Sequence, residues 1–368
     1  MSFLSSMPRR TSFVLLICLV ATSAARAEPP TKPKGLKPGD TIALVAPCGP
    51  LNEERMTLAA ERLTALGYDV RTPDDLFRRR GYLAGDDQRR ADELTSAFAD
   101  PEVDAVFPGT GGYGATRMLD LVDWDVVAAN PKVFIGFSDV TALHLAIAAK
   151  CNFITFHTPT PQYGLGSKDG LHPFSERYFW RSLLAAENVS AEDGGAEGFE
   201  YELPADAPSP RTLRPGVATG PLIGGNLTLV ASLMGTPYEI DTDGRVLFLE
   251  DVSEAPYRVD RMLSQLKLGG KLRAPAAVIL CRFTYREPDN EEGDGVADEK
   301  KKRTQSFDEV FADYFGDAPY PVITDFPMGH GVKGQKWSLN ATLPEGALVE
   351  VDAGAKRVRL LENPVKPD

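Results

Sequence analysis

The sequence predicts an α/β chain whose first part is built on a parallel sheet and whose last part is made of short β segments. Three observations carry that expectation. Between residues 41 and 157 short apolar runs alternate with helical patterns, the rhythm of a parallel sheet covered on both faces. From about residue 160 that rhythm breaks. The 368 residues, 43% hydrophobic and 25% charged, suffice for two cores.

The elements follow in order. "TIALVAP" (41–47) is a buried-strand pattern. Asn52 caps a helix running to Leu66, stopped by Gly67. "YDVRTP" (68–73) is a second strand, and "DDQRRADELTSAFAD" (86–100) a helix ended before Pro101. "VDAVFPG" (103–109) and "ATRMLDLVD" (115–123) form the third pair, "VFIGFS" (133–138) and "DVTALHLAIAAK" (139–150) the fourth. "FITFH" (153–157) is a fifth strand. Residues 164–215 are rich in Gly, Pro, Ser and acidic residues, with one helix at "FSERYFWRSLLAAE". They read as a connection. Beyond it come a helix at 226–235, a strand at 245–251, a helix at 256–270 and strands near 276–283 and 321–325. "WSLNATL", "ALVEVD" and "RVRLLE" complete the chain as short β segments. The resulting division is 28–165, a connector 166–218, and 219–368.

Residues 1–27 have the form of an export signal. Arg9 and Arg10 precede the apolar run "FVLLICLVATSA", and Ala25-Arg26-Ala27 is a small-x-small cleavage pattern before Glu28. Ile17 before Cys18 fits lipid attachment poorly. Phe13 stands one residue late for twin-arginine export, which favours the general route and a periplasmic chain. Once the signal is removed, no membrane association is expected. A net charge of −12 argues against nucleic-acid binding. Cys48, Cys151 and Cys281 are distant and odd in number, so buried free thiols are expected rather than disulfides. "DNEEGDGVADEK" imitates a calcium loop. Aligned on Gly295, however, its twelfth position is Lys301 instead of the required Glu. The stretch 286–305 is read as an exposed insertion. No metal or cofactor is expected.

Gly109-Thr110-Gly111-Gly112-Tyr113-Gly114 fits GxGxxG. It follows the third strand rather than the first, and no strand ending in an acid follows about twenty residues on. A dinucleotide site is therefore disfavoured against a tight turn or a set of bare amides for an oxyanion. Ser138 sits on a strand-to-helix elbow, where its hydroxyl and the Asp139 amide point off the top of the sheet. Helix capping is the competing role. GxSxG is incomplete, with Val140 in place of the last glycine.

A nucleophilic serine needs a base, and the chain has four histidines. His144 shares a helical stripe with Val140, Leu143 and Ile147 and reads as core; His172 reads as surface. His330, flanked by Gly329 and Gly331 after an apolar strand, ranks first as base. His157, at a neighbouring strand end, ranks second, as a pocket residue. For the orienting acid, "RVLFLEDVSEAPYRVDRML" offers Glu250, Asp251 and Glu254. Glu250 closes an apolar strand, where an unpaired carboxylate is costly; a salt bridge to Arg258 or Arg261 is the competing explanation.

Together these motifs resemble the LD-carboxypeptidase family of serine peptidases. The matching stretches are "GDTIALVAPCGP", "GTGGYGATRMLD", "IGFSDVTALH", "GPLIGGNLTLVASLMGTPYE", "LFLEDVSEAPYRVDRMLSQL" and "GHG", in that order along the chain. The resemblance implies a Rossmann-like N-terminal domain with a parallel sheet and a smaller β-rich C-terminal domain. It implies a catalytic triad of Ser138, Glu250 and His330, with an oxyanion hole of Gly112 and Asp139 amides. It also implies cleavage of the bond to a terminal D-alanine in murein tetrapeptide. Thr110 departs from the family's usual Arg, and His157-Thr158-Pro159 from its "HGP". Tyr113, His157 and Arg258 are candidate substrate contacts, and Arg117, Arg258 and Lys333 are candidate cations for the substrate carboxylate. A homodimer is compatible with the resemblance.

Within the family, the alternative is a microcin C immunity-type hydrolase of aminoacyl-nucleotide-like amides, with Trp180 or Trp337 to stack a base. Outside it stand a periplasmic binding protein without turnover and, more distantly, a dinucleotide-dependent oxidoreductase.

Overall fold

The structure, a computed structural model, describes residues 28–189, 198–285, 304–331 and 339–367. The expected signal, most of the charged stretch, Lys333 and Trp337 lie outside these residues.

Strands β1 (Thr41–Val45), β2 (Asp69–Arg71), β3 (Ala105–Pro108), β4 (Val133–Gly136) and β5 (Thr155–His157) lie side by side in the order β5-β4-β3-β1-β2. All four pairings are parallel. Order reverses between β1 and β3, and a crevice opens there beyond the strands' C-terminal ends. Local chemistry starts each crossover. Asn52 accepts from the Arg55 amide at 2.9 Å to cap α1 (Glu53–Ala65), which buries Met56, Ala59 and Leu63 along one face. Asp86 does the same for α2 (Asp87–Ala99). Arg90 on α2 is fully buried; its guanidinium donates to the carbonyls of Pro47 and Gly114. It thereby ties together the loops after β1 and β3 that flank the crevice.

The expected helix at 115–123 is broken. It is α3 (Ala115–Met118), then a 3₁₀ turn, with α4 (Trp124–Ala129) added before β4. The fourth crossover is α5 (Thr141–Lys150). Helix α6 (Pro173–Leu183) is not a spacer: Tyr178, Phe179 and Leu183 are buried in the same apolar core as Leu44 and Phe107.

A second sheet holds β6 (Arg211–Arg214), β7 (Val217–Asn226), β8 (Val246–Val252), β9 (Ala277–Thr284) and β10 (Val322–Thr324). It also holds β12 (Leu348–Asp352) and β13 (Arg357–Leu360), in the order β13-β12-β7-β8-β9-β10-β6. Its centre, β7 to β10, is parallel and its outer pairs are antiparallel. Helices α7 (Leu227–Ser232), α8 (Pro256–Leu268) and α9 (Phe307–Phe315) accompany it. Strand β11 (Leu343–Glu345) crosses to the first sheet and pairs antiparallel with β5. Two strands thus cross the boundaries drawn from sequence, β6 from the connector and β11 from the last part.

β7 escapes sequence reading because "VATGPLIGGN" looks like a turn. Its glycines serve close approach. A Cβ on Gly224 would lie 1.8 Å from the Phe248 carbonyl oxygen, and one on Gly225 2.6 Å from Thr141 of α5. That second contact is where the two sheets' C-terminal ends meet. Of the expected β segment 337–343, the described residues 339–343 are strand only at Leu343. The backbone amides of Asn340 and Ala341 bond instead to Ser175 Oγ and the Pro327 carbonyl, so they do not join a ladder. Cys48 and Cys281 are buried and Cys151 half-buried, all free. Among the described residues no helix is long and apolar enough to cross a membrane.

Candidate active site

The C-terminal ends of both parallel arrays face one cavity of about 1300 Å³. Ser138, Phe137, Gly111, Gly112, Tyr113, Gly329, His330 and Asn340 are among its lining residues.

Ser138 follows β4 with φ +63°, a left-handed conformation rare for a residue bearing a side chain. It makes no capping hydrogen bond, so the capping role read from sequence is not what holds it. The elbow needs the glycine before it. Gly136 has φ +145°, and a Cβ there would lie 2.6 Å from Val140 Cγ1. Gly136→Ala is expected to cost about 1–3 kcal/mol and to lower the melting temperature by several degrees. Thermal denaturation followed by circular dichroism measures this.

Ser138 Oγ lies 3.0 Å from His330 Nε2, and His330 Nδ1 lies 2.7 Å from Glu250 Oε2. A carboxylate only accepts, so Nδ1–H donates to Glu250 and Nε2 accepts from the serine hydroxyl. Glu250 is fully buried. Its second oxygen accepts from Asn226 Nδ2 at 3.1 Å, and the same amide reaches Asp251 Oδ1 at 3.1 Å. Burial pushes the His330 imidazole down, but the charge and hydrogen bond of Glu250, aided by Asp251, outweigh it, so its pKa stands above the usual 6.5. Burial and the adjacent Glu250 raise Asp251 to about 6. The Arg258 and Arg261 guanidinium groups do not pair with Glu250. They lie over Tyr257, and Arg258 also approaches Glu254 at 3.4 Å.

The His330 loop is fixed from three sides. Arg282 donates to the carbonyls of Gly329, His330 and Leu339 at 3.2–3.3 Å. Asn340 Oδ1 accepts from the Gly329 amide at 3.1 Å. Gly329, at φ +115°, leaves room for Glu250, whose Cβ and Oε2 would each be 3.1 Å from an added Cβ. Asn226, Arg282 and Asn340 were missed in the sequence. The available signals were an Asn directly after a glycine pair and an Arg interrupting an apolar strand. Asn226→Ala is expected to lower kcat about tenfold by freeing one carboxylate oxygen of Glu250, with KM little changed. Steady-state kinetics on purified protein tests it.

The glycine loop lies directly against the elbow. A Cβ on Gly111 would stand 2.9 Å from Ser138 Cβ and 3.2 Å from the Asp139 amide nitrogen. Gly112, at φ +102°, faces the cavity. The Asp139 side chain is turned inward and accepts from the Ala115 amide at 2.8 Å, so only its backbone is available near Ser138. GxGxxG opens only the four-residue α3 here.

Several expectations need correcting. His157 is not a pocket residue. It is fully buried behind Phe137, whose ring is 6.0 Å from it and 4.7 Å from His330. It sits with His144 and Glu345, 3.8 Å from the Glu345 carboxylate. Burial pushes His157 well below its usual pKa and Glu345 well above, which favours the neutral form of each. The possible ligand atoms of these three residues lie within 4.8 Å of one another. His144 is a core residue as read, donating from Nε2 to the Gly136 carbonyl and accepting from Thr155. His172 is not simply surface: it caps α6 and lines the cavity.

Arg117 and Arg258 do not line the cavity either. Arg117 pairs with Asp87 at 2.7 Å. Trp180 stacks on Tyr68 outside the cavity. Tyr113 does line it, half-exposed and edge-on to Tyr82 at 5.4 Å.

Comparison with known proteins identifies the family. Residues 42–158 match the family model for the LD-carboxypeptidase N-terminal domain, and residues 219–351 that for its C-terminal domain. A probable murein peptide carboxypeptidase of Bacillus subtilis is 38% identical over 300 residues, 81% of this chain and 86% of the relative. Murein tetrapeptide carboxypeptidase of Pseudomonas aeruginosa is 30% identical over 303 residues, 82% and 91% of the two chains. Among solved structures, muramoyltetrapeptide carboxypeptidase from Oxalobacter formigenes superposes with a TM-score of 0.71 at 28% identity, over 89% of this chain and all of that one. The microcin C7 self immunity protein MccF superposes at 0.76 over 92% of this chain and all of that one; at 23% identity this shows a common fold. With both halves matched in order and the identity sustained over four-fifths of its length, the chain belongs to the LD-carboxypeptidase family and is a serine-type carboxypeptidase.

Proposed function

We propose that the chain removes the terminal D-alanine of murein tetrapeptide through an acyl-enzyme on Ser138. The observation that carries the reading is the unbroken chain of hydrogen bonds from Ser138 through His330 to buried Glu250, at the wall of the large cavity. His330 Nε2 takes the serine proton as Oγ attacks the carbonyl carbon between diaminopimelate and D-alanine. Such base action contributes about 10²–10⁴-fold. Glu250 holds the imidazole and stabilises the imidazolium. The amides of Gly112 and Asp139 receive the oxyanion, each donor worth roughly 3–4 kcal/mol. The C–N bond then breaks and His330 returns the proton to the leaving amine. Water, deprotonated by His330, attacks the ester carbonyl and frees the tripeptide and Ser138.

The export pattern of residues 1–27 supports action on wall peptides outside the cytoplasm. The immunity-type alternative has less support: Trp180, the stacking residue it would use among those described, lies outside the cavity. Incubation with purified tetrapeptide and, separately, with an aminoacyl sulfamoyl adenosine tests the reading by mass spectrometry. Loss of one alanine from the peptide is the expected result. Turnover of the adenosine compound alone would transfer the chain to the alternative, and binding without turnover of either would make it a binding protein.

A further inference from the structure

A carboxypeptidase acts at a chain end, so its pocket must recognise a carboxylate that an internal peptide bond lacks. A carboxylate leaving bulk water needs a cation or several donors to replace its hydration. Among the described residues lining the cavity, one carries a permanent positive charge: Arg79. It was not among the cations considered from sequence.

Its position follows from the fold. Arg79 belongs to the loop after β2, at the same C-terminal edge of the sheet as Ser138. That loop is held against the glycine loop. Gly81 and Tyr82 line the cavity beside Gly111 and Gly112, and the Tyr82 ring packs on Tyr113. The three consecutive arginines here differ in employment. Arg78 is committed to Asp75 and packs against Gly85. Arg80 does not line the cavity. None of the hydrogen bonds or ion pairs among the described residues uses the Arg79 guanidinium, although it lies in an acidic protein. Asp169, the single carboxylate among the described lining residues, does not pair with it. A guanidinium presents a planar fork of donors that matches a carboxylate in two parallel bonds.

We propose that Arg79 binds the free carboxylate of the departing residue and so confines cleavage to chain ends. The proposal rests on the murein-peptide reading of the same cavity. It makes Arg79 a binding residue, contributing to KM more than to the chemical step.

The test uses the full chain, murein tetrapeptide, and the same peptide ending in D-alaninamide. Release of D-alanine or D-alaninamide is followed by mass spectrometry. The wild type is expected to prefer the acid. Arg79→Ala is expected to lower kcat/KM for the acid by about 10–100-fold, mostly through KM, and to leave the amide rate unchanged. The acid-over-amide ratio then collapses. Arg79→Lys should restore part of it, and Arg80→Ala should leave both rates as in the wild type. A ratio preserved in Arg79→Ala overturns the proposal, as does an equal loss on both substrates, which marks a structural effect. A wild type indifferent to amidation overturns the proposal while leaving the murein reading intact. A wild type that cleaves neither peptide overturns both.

Discussion

Ser138→Ala is expected to lower kcat on tetrapeptide about 10⁶-fold, to the background that binding and the oxyanion amides alone support. The substitution removes only Oγ, which lies 3.0 Å from His330 Nε2. Alanine tolerates φ +63° no worse than serine does, and no capping bond is lost, so the fold should persist. Circular dichroism and the melting temperature should match the wild type, and tetrapeptide should still bind with similar affinity. Single-turnover mass spectrometry gives the sharper readout: a mass increase on Ser138 in the wild type and none in the variant. Equal release of alanine by both proteins would remove Ser138 from the chemistry and the proposed mechanism with it.

Glu250→Gln should cost about 10⁴-fold in kcat and also move the pH profile. The base must be neutral to accept the serine proton. Because Glu250 and Asp251 hold the His330 imidazole above 6.5 against its burial, wild-type kcat/KM should rise with pH through a midpoint above 6.5. With the Glu250 charge gone, burial prevails and the acid limb should shift to lower pH. A glutamine side chain also accepts from Nδ1–H through only one oxygen, and turned the other way it favours the wrong tautomer. The pair has an opposite signature in stability. A histidine whose folded-state pKa is raised stabilises the fold fully below the unfolded value of about 6.5 and loses that contribution as pH rises through the folded value. The contact should therefore help the fold most at pH values where the enzyme is least active. An unshifted acid limb in Glu250→Gln would show that Glu250 does not set the charge state of His330.

Much of the architecture was legible because it is locally encoded. A five-residue apolar run such as Thr41–Val45 is buried along its whole length, and the Asn52 cap starts α1 as its sequence says. Where reading failed, a distant contact had overruled local preference. Gly224 and Gly225 look like a turn but sit in a ten-residue strand, because the Phe248 carbonyl and Thr141 leave no space for a side chain. The 115–123 helix divides although its hydrophobic spacing continues. Asn340 and Ala341 give their backbone donors to Ser175 Oγ and the Pro327 carbonyl instead of a strand.

The site divides the same way. The family resemblance chose Glu250 from among Glu250, Asp251 and Glu254; the residues themselves determined the α/β alternation, the serine at a strand–helix corner, the glycines beside it, and the first rank of His330 as base. Each of these is written in residue type and immediate neighbours. Only the tertiary structure decided that His157 is sealed behind Phe137 and that Asn226 grips the second oxygen of Glu250. Only it showed that Arg117 and Arg258 are bound elsewhere while Arg79 lines the cavity unpaired. The physical reason is that a side chain's exposure and partners depend on which remote segments pack against it. Nothing within a few positions along the chain encodes whether an arginine meets an aspartate or an open cavity.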